Sequence, residues 1–171
     1  LDLNLSKAVI KKIINKYYKD NYICICGTSD YKVDKIKNLL GKIDTIILNK
    51  QESFILTNSK TINNSMNYLI NENKKLNIII TNGKNAVNAH IKGVTYLLHT
   101  PPTRIYNENG AGDALNGVFN YFFCNSLNGL DSLIKGICAG SLQTSGYKNN
   151  KVKYLQKIDK LSKSIKFKIN R

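Results

Sequence analysis

The sequence predicts a three-layer α/β/α fold, in which a mainly parallel sheet lies between helices and also carries an antiparallel hairpin. Apolar residues at helical spacing alternate with short continuous apolar runs, so helix, strand, helix, strand, helix and strand follow one another over residues 6–83. Parallel strands need such crossovers, and strands covered on both faces are apolar throughout. With 171 residues and 42% hydrophobic content, the chain can bury a core of this kind in one compact unit.

The first half of the chain supplies the predicted parallel strands and the helices that connect them. Ser6 is a candidate cap for a first helix, and the buried stripe of that helix is predicted to hold Val9, Ile10, Ile13, Ile14 and Tyr17. Strands are predicted at 21–27, 44–49 and 77–83, and further helices at 31–41, ending at Gly41, and at 61–73.

The second half is predicted to contain a hairpin and then two helices. Residues 85–99 resemble two strands that turn at Lys92 and Gly93, and the "TPPTR" segment that follows is held extended by its prolines. The helices are expected near 111–124 and 130–144, and the last twenty residues are expected to form a helix and a peripheral strand.

Composition and charge exclude several classes of protein. The net charge of +15 suits a phosphate-bearing partner, but the only arginines are Arg104 and Arg171, so nucleic-acid binding is disfavoured. No apolar run approaches the roughly 20 residues that cross a bilayer. The four cysteines and two histidines form neither a disulfide framework nor a zinc pattern. We therefore expect a cytoplasmic protein with no membrane partner.

The segment "NENGAGDALNG" at residues 107–117 carries the strongest chemical signal. Gly110 and Gly112 directly precede a helical apolar stripe, and Asp113 lies in its first turn, pointing away from that stripe. A helix start has unpaired N–H groups and favours an anion, and glycines let a phosphate approach the backbone. Asp113 would stay ionised there and could act as a base. A plain loop followed by a helix-stabilising acid is the structural alternative.

These residues resemble the C-terminal signature of the PfkB/ribokinase-like carbohydrate kinases. Two further family features follow the same order: "NKQE" at 49–52 is similar to the N-x-x-E motif, and "TNGKNA" at 81–86 is similar to the T-x-G-x-x-G turn. The resemblance implies a ribokinase-like fold that uses ATP and Mg²⁺. It implies that Asp113 is the base that deprotonates the substrate hydroxyl and that Glu52 orients Mg²⁺. It also implies an anion hole formed by the backbone amides of Gly110, Ala111, Gly112 and Asp113. The residues implied to contact ATP are Asn49, Thr81, Gly83 and Asn107.

Within the family, the segments "LDLNLS", "TPPTRIYNENGAGDALNGV" and "GICAGSLQTSG" resemble pseudouridine kinases most. The resemblance covers residues 1–147 as the C-terminal ATP and phosphate-transfer half of a kinase domain, followed by a basic C-terminal tail at 148–171. The family's N-terminal half has no counterpart here, which implies a partner chain or a longer polypeptide. A homodimer and a monovalent cation stay open. Asn109 stands where the family has threonine, and Ala86 where it has glycine.

The expected reaction is ATP-dependent phosphorylation of a sugar or nucleoside hydroxyl, pseudouridine to its 5′-phosphate first among them. One alternative is a non-catalytic remnant or nucleotide-binding module of a ribokinase-like or fructokinase-like enzyme. Another is a lysine-rich protein that associates with nucleic acid.

Overall fold

The computed structural model describes residues 1–125, 128–146 and 151–170. The fold is of the predicted three-layer α/β/α class, with a mixed, mostly parallel sheet. The chain divides into two compact units, one formed by Leu1–Leu97 with the residues from Ile169 onward, and the other by Leu98–Lys168. We expected one compact unit because the chain has the length of one domain. Length does not show which parts of a chain pack together, and so it could not predict the two units.

The first unit contains the helices and strands up to residue 97, which includes the first four residues of strand β5. They are α1 (Lys7–Tyr17), β1 (Cys24–Cys26), a 3-10 helix (Val33–Lys42), β2 (Thr45–Asn49), α2 (Lys50–Thr57), α3 (Ile62–Glu72), β3 (Asn77–Thr81), β4 (Ala86–Ile91) and β5 (Val94–His99). The second unit contains α4 (Ala111–Cys124), α5 (Gly129–Thr144) and α6 (Lys151–Ser162), and β6 (Phe167–Asn170) spans its far boundary.

The strands lie in the sheet in their order along the chain, from β1 to β6. β1 pairs with β2 and β2 with β3 in parallel, and Asn49 at the end of β2 is the register partner of Thr81 at the end of β3. β3 pairs with β4 in antiparallel fashion. The parallel pairing of the first three strands was thus predicted correctly.

The hairpin of β4 and β5 turns where the sequence predicted. Lys92 has φ 50° and Gly93 has φ 82°, so both central residues are left-handed. Two consecutive positive φ angles are what a two-residue hairpin turn needs to match the twist of its strands. Glycine accepts this conformation readily, which explains its position at the second site.

One apolar cluster in the core of the first unit is built from α1, the 3-10 helix, α3 and the three parallel strands. Its fully buried members include Ile10, Ile14, Ile25, Ile36, Ile46, Leu69, Ile78 and Ile80. Ser6 caps α1 as predicted, by accepting a hydrogen bond from Val9 N–H at 3.4 Å. The predicted stripe was too wide, however, because Val9 and Tyr17 are each 42% exposed.

Two helix predictions in this unit need correction. Residues 33–42 form a 3-10 helix rather than an α-helix, and Gly41 lies inside it instead of ending it. Val33, Ile36 and Leu39 repeat every three residues, the period of a 3-10 helix, and ten residues are too few to separate that period from 3.6. Helix α2 was not predicted at all. Its buried face is mostly polar, so it gave no apolar signal (Glu52, Ser53, Leu56 and Thr57).

In the second unit, α4, α5 and the final helix and strand were predicted correctly. Leu115 and Phe119 form the buried centre of the α4 stripe. α6 packs on α5 through Ile158, which is fully buried beside Cys138 and Leu142. The division of the chain at residue 147 stays a prediction.

Candidate functional site

The start of helix α4 combines a left-handed glycine with amides that are open to a ligand. Gly110 occupies the N-cap position of the helix, with φ 77° and ψ 2°. Among the described residues, no side chain makes a capping hydrogen bond there. Ala111 N–H donates to the carbonyl of Glu108 at 3.3 Å. Within the described residues, the amides of Gly112 and Asp113 have no protein acceptor. Of the four amides predicted to form the anion hole, that of Ala111 is therefore already engaged.

The carboxylate of Asp113 lies on the solvent side of this first turn. The residue is exposed, whereas Leu115 and Phe119 on the opposite side of α4 are buried. A Cβ atom added at Gly112 would meet nothing within 4 Å, so the backbone there is open to an approaching group. An accessible carboxylate beside open amides at a helix start can accept a proton next to a bound anion.

The last turn of α5 holds the loop that precedes α4. The carbonyl of Thr144 accepts hydrogen bonds from the amides of Tyr106 and Asn107 at 2.8 and 3.2 Å. Gln143 donates from Nε2 to the carbonyl of Asn109 at 3.4 Å. Asn107 in turn accepts from Asn109 N–H at 2.9 Å through its side-chain oxygen. Asn107 therefore shapes the loop through its backbone N–H and its side-chain oxygen.

Gln143 is a residue that sequence reasoning missed. A Cβ atom added at Gly110 would lie 3.4 Å from Gln143 Nε2, so this side chain borders the left-handed glycine as well as the loop carbonyl. The residue lies in the quoted segment "GICAGSLQTSG", but its position relative to Gly110 depends on how α5 packs. No spacing in the sequence could have revealed it.

In the first unit, the predicted pair Asn49 and Glu52 comes together at the start of α2. Asn49 Oδ1 accepts from Glu52 N–H at 2.8 Å, and Glu52 Oε2 accepts from Asn49 N–H at 2.8 Å. This reciprocal arrangement is a capping box. The two residues therefore have a structural role whether or not they also meet a ligand.

Glu52 is an acidic residue in an unusually closed environment. It is only 3% exposed. Burial raises the pKa of its carboxyl, while the hydrogen bond from the Asn49 backbone lowers it and the nearby Asp30 carboxylate raises it. A carboxylate offers about four acceptor positions, so the bond to Asn49 leaves others for water or a cation.

Thr81 lies beside Asn49 in the sheet, and Gly83 follows two residues later in a turn. Thr81 is the register partner of Asn49, and its hydroxyl donates to the carbonyl of Leu48 at 3.4 Å. Gly83 has φ 56°, and a Cβ atom there would meet nothing within 4 Å. Ala86 begins β4 and does not adopt a positive φ, so this position does not require the family's glycine.

The described part of the chain contains no group of three or more histidine, cysteine, aspartate and glutamate side chains that could hold a metal ion. In the same part of the chain, no helix has both the length and the apolar character needed to span a bilayer.

Comparison with known proteins identifies one family. The sequence model of the pfkB family carbohydrate kinases matches residues 3–151. No curated protein sequence matches the chain.

Several solved structures share the fold. A carbohydrate kinase from Agrobacterium tumefaciens is 19% identical with a TM-score of 0.78, over 99% of this chain and 55% of that one. Phosphofructokinase-2 from Escherichia coli, in complex with substrates and products, is 15% identical with a TM-score of 0.76, over 93% and 54%. The pyridoxal kinase from Staphylococcus aureus, in complex with pyridoxal, is 16% identical with a TM-score of 0.70, over 98% and 69%. The chain thus spans about half the length of the first two.

Proposed function

We propose, from the premise that the chain belongs to the pfkB family of carbohydrate kinases, that it provides the ATP and phosphate-transfer half of a sugar or nucleoside kinase. The observation that carries the proposal is the start of α4. There Gly110, a left-handed N-cap residue without a capping side chain among the described residues, precedes the amides of Gly112 and Asp113, which have no acceptor among those residues. Phosphoryl transfer asks a protein mainly for position and charge compensation, and these groups supply both.

The amides of Gly112 and Asp113 would donate to oxygens of the transferring phosphoryl group. Negative charge collects on those oxygens in the transition state, and N–H groups at a helix start lie in a positive field. Ala111 contributes through the turn it forms with Glu108 rather than through its own amide. In other enzymes a single donor of this kind contributes about 3 kcal/mol.

Asp113 would act as the general base. Its exposed carboxylate takes the proton of the attacking hydroxyl as that oxygen bonds to the γ-phosphorus and the bond to the ADP oxygen breaks.

Glu52 would orient Mg²⁺ through a water molecule, because its carboxylate is almost closed to solvent. When bound, Mg²⁺ neutralises charge on the β- and γ-phosphates. In the first unit, Asn49 would hydrogen-bond a phosphate of ATP, and Thr81 and Gly83 would also contact ATP. In the second unit, Asn107 would contact ATP from the loop that precedes α4. A monovalent cation is compatible with this scheme.

Pseudouridine is our first choice of acceptor, phosphorylated on its 5′-hydroxyl. The support is the likeness of three sequence segments to pseudouridine kinases. Two of the solved structures that share the fold were determined in complex with pyridoxal and with fructose 6-phosphate, and their likeness extends to the fold alone. Ribose and fructose are therefore the comparison substrates.

The active enzyme would need a further segment or a partner chain. The chain spans about half the length of two of the kinases whose fold it shares. In the first unit, β1 is the first strand of the sheet. On its other side the start of the chain bridges Asp2 to Cys26 and hydrogen-bonds Leu1 to Cys24 and Cys26. The nearby Leu1, Leu5 and Val9 are 40 to 42% exposed. Exposed apolar side chains beside the first strand of a sheet favour association, either with that segment or with a second copy.

Transfer of label from γ-labelled ATP to pseudouridine, ribose or fructose tests the proposal, with ATP binding measured in parallel. We expect Asp113→Ala to abolish transfer and to leave ATP affinity nearly unchanged. The matched control is Asp131→Ala, which removes another exposed acid from the first turn of a helix, α5, and should leave transfer intact.

Equal loss of transfer and ATP binding in Asp113→Ala would assign that residue to structure and contradict the proposal. A wild-type chain that binds ATP but transfers to none of the three acceptors, even with its partner segment supplied, would favour the nucleotide-binding module. Full turnover by the 171-residue chain alone would contradict the need for a partner.

A further inference from the structure

Gly27 follows strand β1 directly and lies against the side chain of Glu52. Its N–H donates to the carbonyl of Ile47 at 2.8 Å, which extends the pairing of β1 with β2 by one residue. A Cβ atom built at position 27 would lie 2.6 Å from Cδ and 2.9 Å from Oε1 of Glu52, with Oε2 nearer still. Carbon atoms do not approach non-bonded atoms this closely, so no other residue fits here while Glu52 keeps its place.

The requirement for glycine concerns space rather than backbone conformation. Gly27 is not among the residues with positive φ, so alanine could adopt its backbone angles without strain. The carboxylate of Glu52 occupies the volume that a side chain would need. Glu52 itself is fixed there by the bond that its Oε2 accepts from Asn49 N–H.

We infer that Gly27 is a positioning residue for the Glu52 carboxylate, whose place beside β1 exists only because position 27 has no side chain. The functional part of this inference rests on the proposed function, in which Glu52 orients Mg²⁺ on ATP. A carboxylate at the end of a flexible side chain moves more easily than two paired strands. Gly27→Ala therefore displaces Glu52 and breaks its bond to Asn49, while β1 and β2 stay paired.

Hydrogen exchange of the Asn49 amide measures this displacement without a metal or a substrate. Loss of one half of a capping box should speed that exchange by roughly 2- to 30-fold. We expect this acceleration in Gly27→Ala, with the exchange of the Ile47 amide in the middle of β2 unchanged. Gly41→Ala is the matched control, because a Cβ atom at position 41 meets nothing within 4 Å.

A double-mutant cycle with Glu52→Ala identifies the group that the new methyl meets. In the Glu52→Ala background the carboxylate is absent, so adding Gly27→Ala should change neither the Asn49 exchange rate nor the midpoint of urea unfolding. An equal effect of Gly27→Ala in both backgrounds, or no acceleration at Asn49, would overturn the inference.

Binding of Mn²⁺·ATP, followed by the electron paramagnetic resonance of the metal, tests the functional part. Loss of a group that orients a metal ligand commonly weakens metal binding about 10- to 100-fold, and we expect a loss in this range for Gly27→Ala. Faster exchange at Asn49 with unchanged Mn²⁺·ATP affinity would overturn the link to the metal. If the wild-type chain itself does not bind Mn²⁺·ATP, both the proposed function and the link to the metal fail. The exchange data would still decide whether Gly27 positions Glu52.

Discussion

Gly140 of helix α5 lies directly against the carbonyl oxygen of Ala111, the first residue of helix α4. A Cβ atom at position 140 would meet that oxygen at 3.0 Å, and one turn earlier a Cβ atom at Gly136 would meet the carbonyl of Leu115 at 3.0 Å. These two glycines let the backbones of α4 and α5 approach closely. The place of the α4 start, and so of Asp113, therefore depends on residues of a different helix.

Gly140→Ala should destabilise the second unit and displace the start of α4. The atom that the new methyl meets is backbone and cannot rotate away, so we expect a loss of about 1–3 kcal/mol in the free energy of unfolding, as for other overpacked sites. Urea unfolding measures it. The control is Gly117→Ala in α4, where the added methyl meets nothing within 4 Å and should stabilise the helix by about 0.5–1 kcal/mol. Equal stability of the two variants would contradict the close packing described here.

Gly112→Ala separates the phosphate-binding role of the α4 loop from its structural role. The added methyl points into open space, so the free energy of unfolding should stay the same or rise. The same methyl would stand where a phosphate approaches the Gly112 and Asp113 amides, so ATP affinity and phosphoryl transfer should fall. Calorimetric titration with ATP and urea unfolding of the same sample check both. Unchanged ATP affinity would show that the phosphate lies elsewhere.

Asn49 can be tested for a role beyond the capping box. Asn49→Ala removes the acceptor of Glu52 N–H and should lower the free energy of unfolding by about 1 kcal/mol. Asn49→Ser keeps a capping oxygen and should retain most of that stability. If Asn49 also binds phosphate, both variants should lose ATP affinity to a similar extent. ATP affinity that follows stability across the two variants would assign Asn49 to structure alone.

His90 predicts a pH dependence of stability in the first unit. It is 8% exposed, its Nδ1 lies 2.9 Å from Thr95 Oγ1, and burial lowers its pKa below the ordinary value of 6.5. As pH falls below 6.5, the unfolded chain takes up a proton on His90 more readily than the folded chain does. The free energy of unfolding therefore falls between pH 6.5 and the lower pKa of the folded state. Thermal unfolding at about pH 7.5 and 5 should therefore show a larger loss in the wild type than in His90→Gln. The exposed His99, changed to glutamine, controls for removing an imidazole, and identical behaviour of wild type and His90→Gln would contradict the prediction.

The sequence predicted the parts of this protein that repeat with a clear period or require one residue type. The apolar runs around Ile46 and Ile78 predicted strands, the positive φ at Gly93 explains the predicted hairpin, and the stripe through Leu115 and Phe119 predicted α4. Helix α2 escaped prediction because its buried face is polar.

By itself, then, the sequence determined the order of helices and strands, the glycine-rich start of α4 and the family to which the chain belongs, since local spacing and residue type carry that information. Only the tertiary structure decided that Glu52 is buried against Gly27 and that Gln143 and Gly140 border the α4 loop. Glu52 lies 25 positions from Gly27 along the chain, and Gln143 and Gly140 lie about 30 from the residues they touch. Close approach of such pairs results from how whole strands and helices pack, which no local pattern encodes.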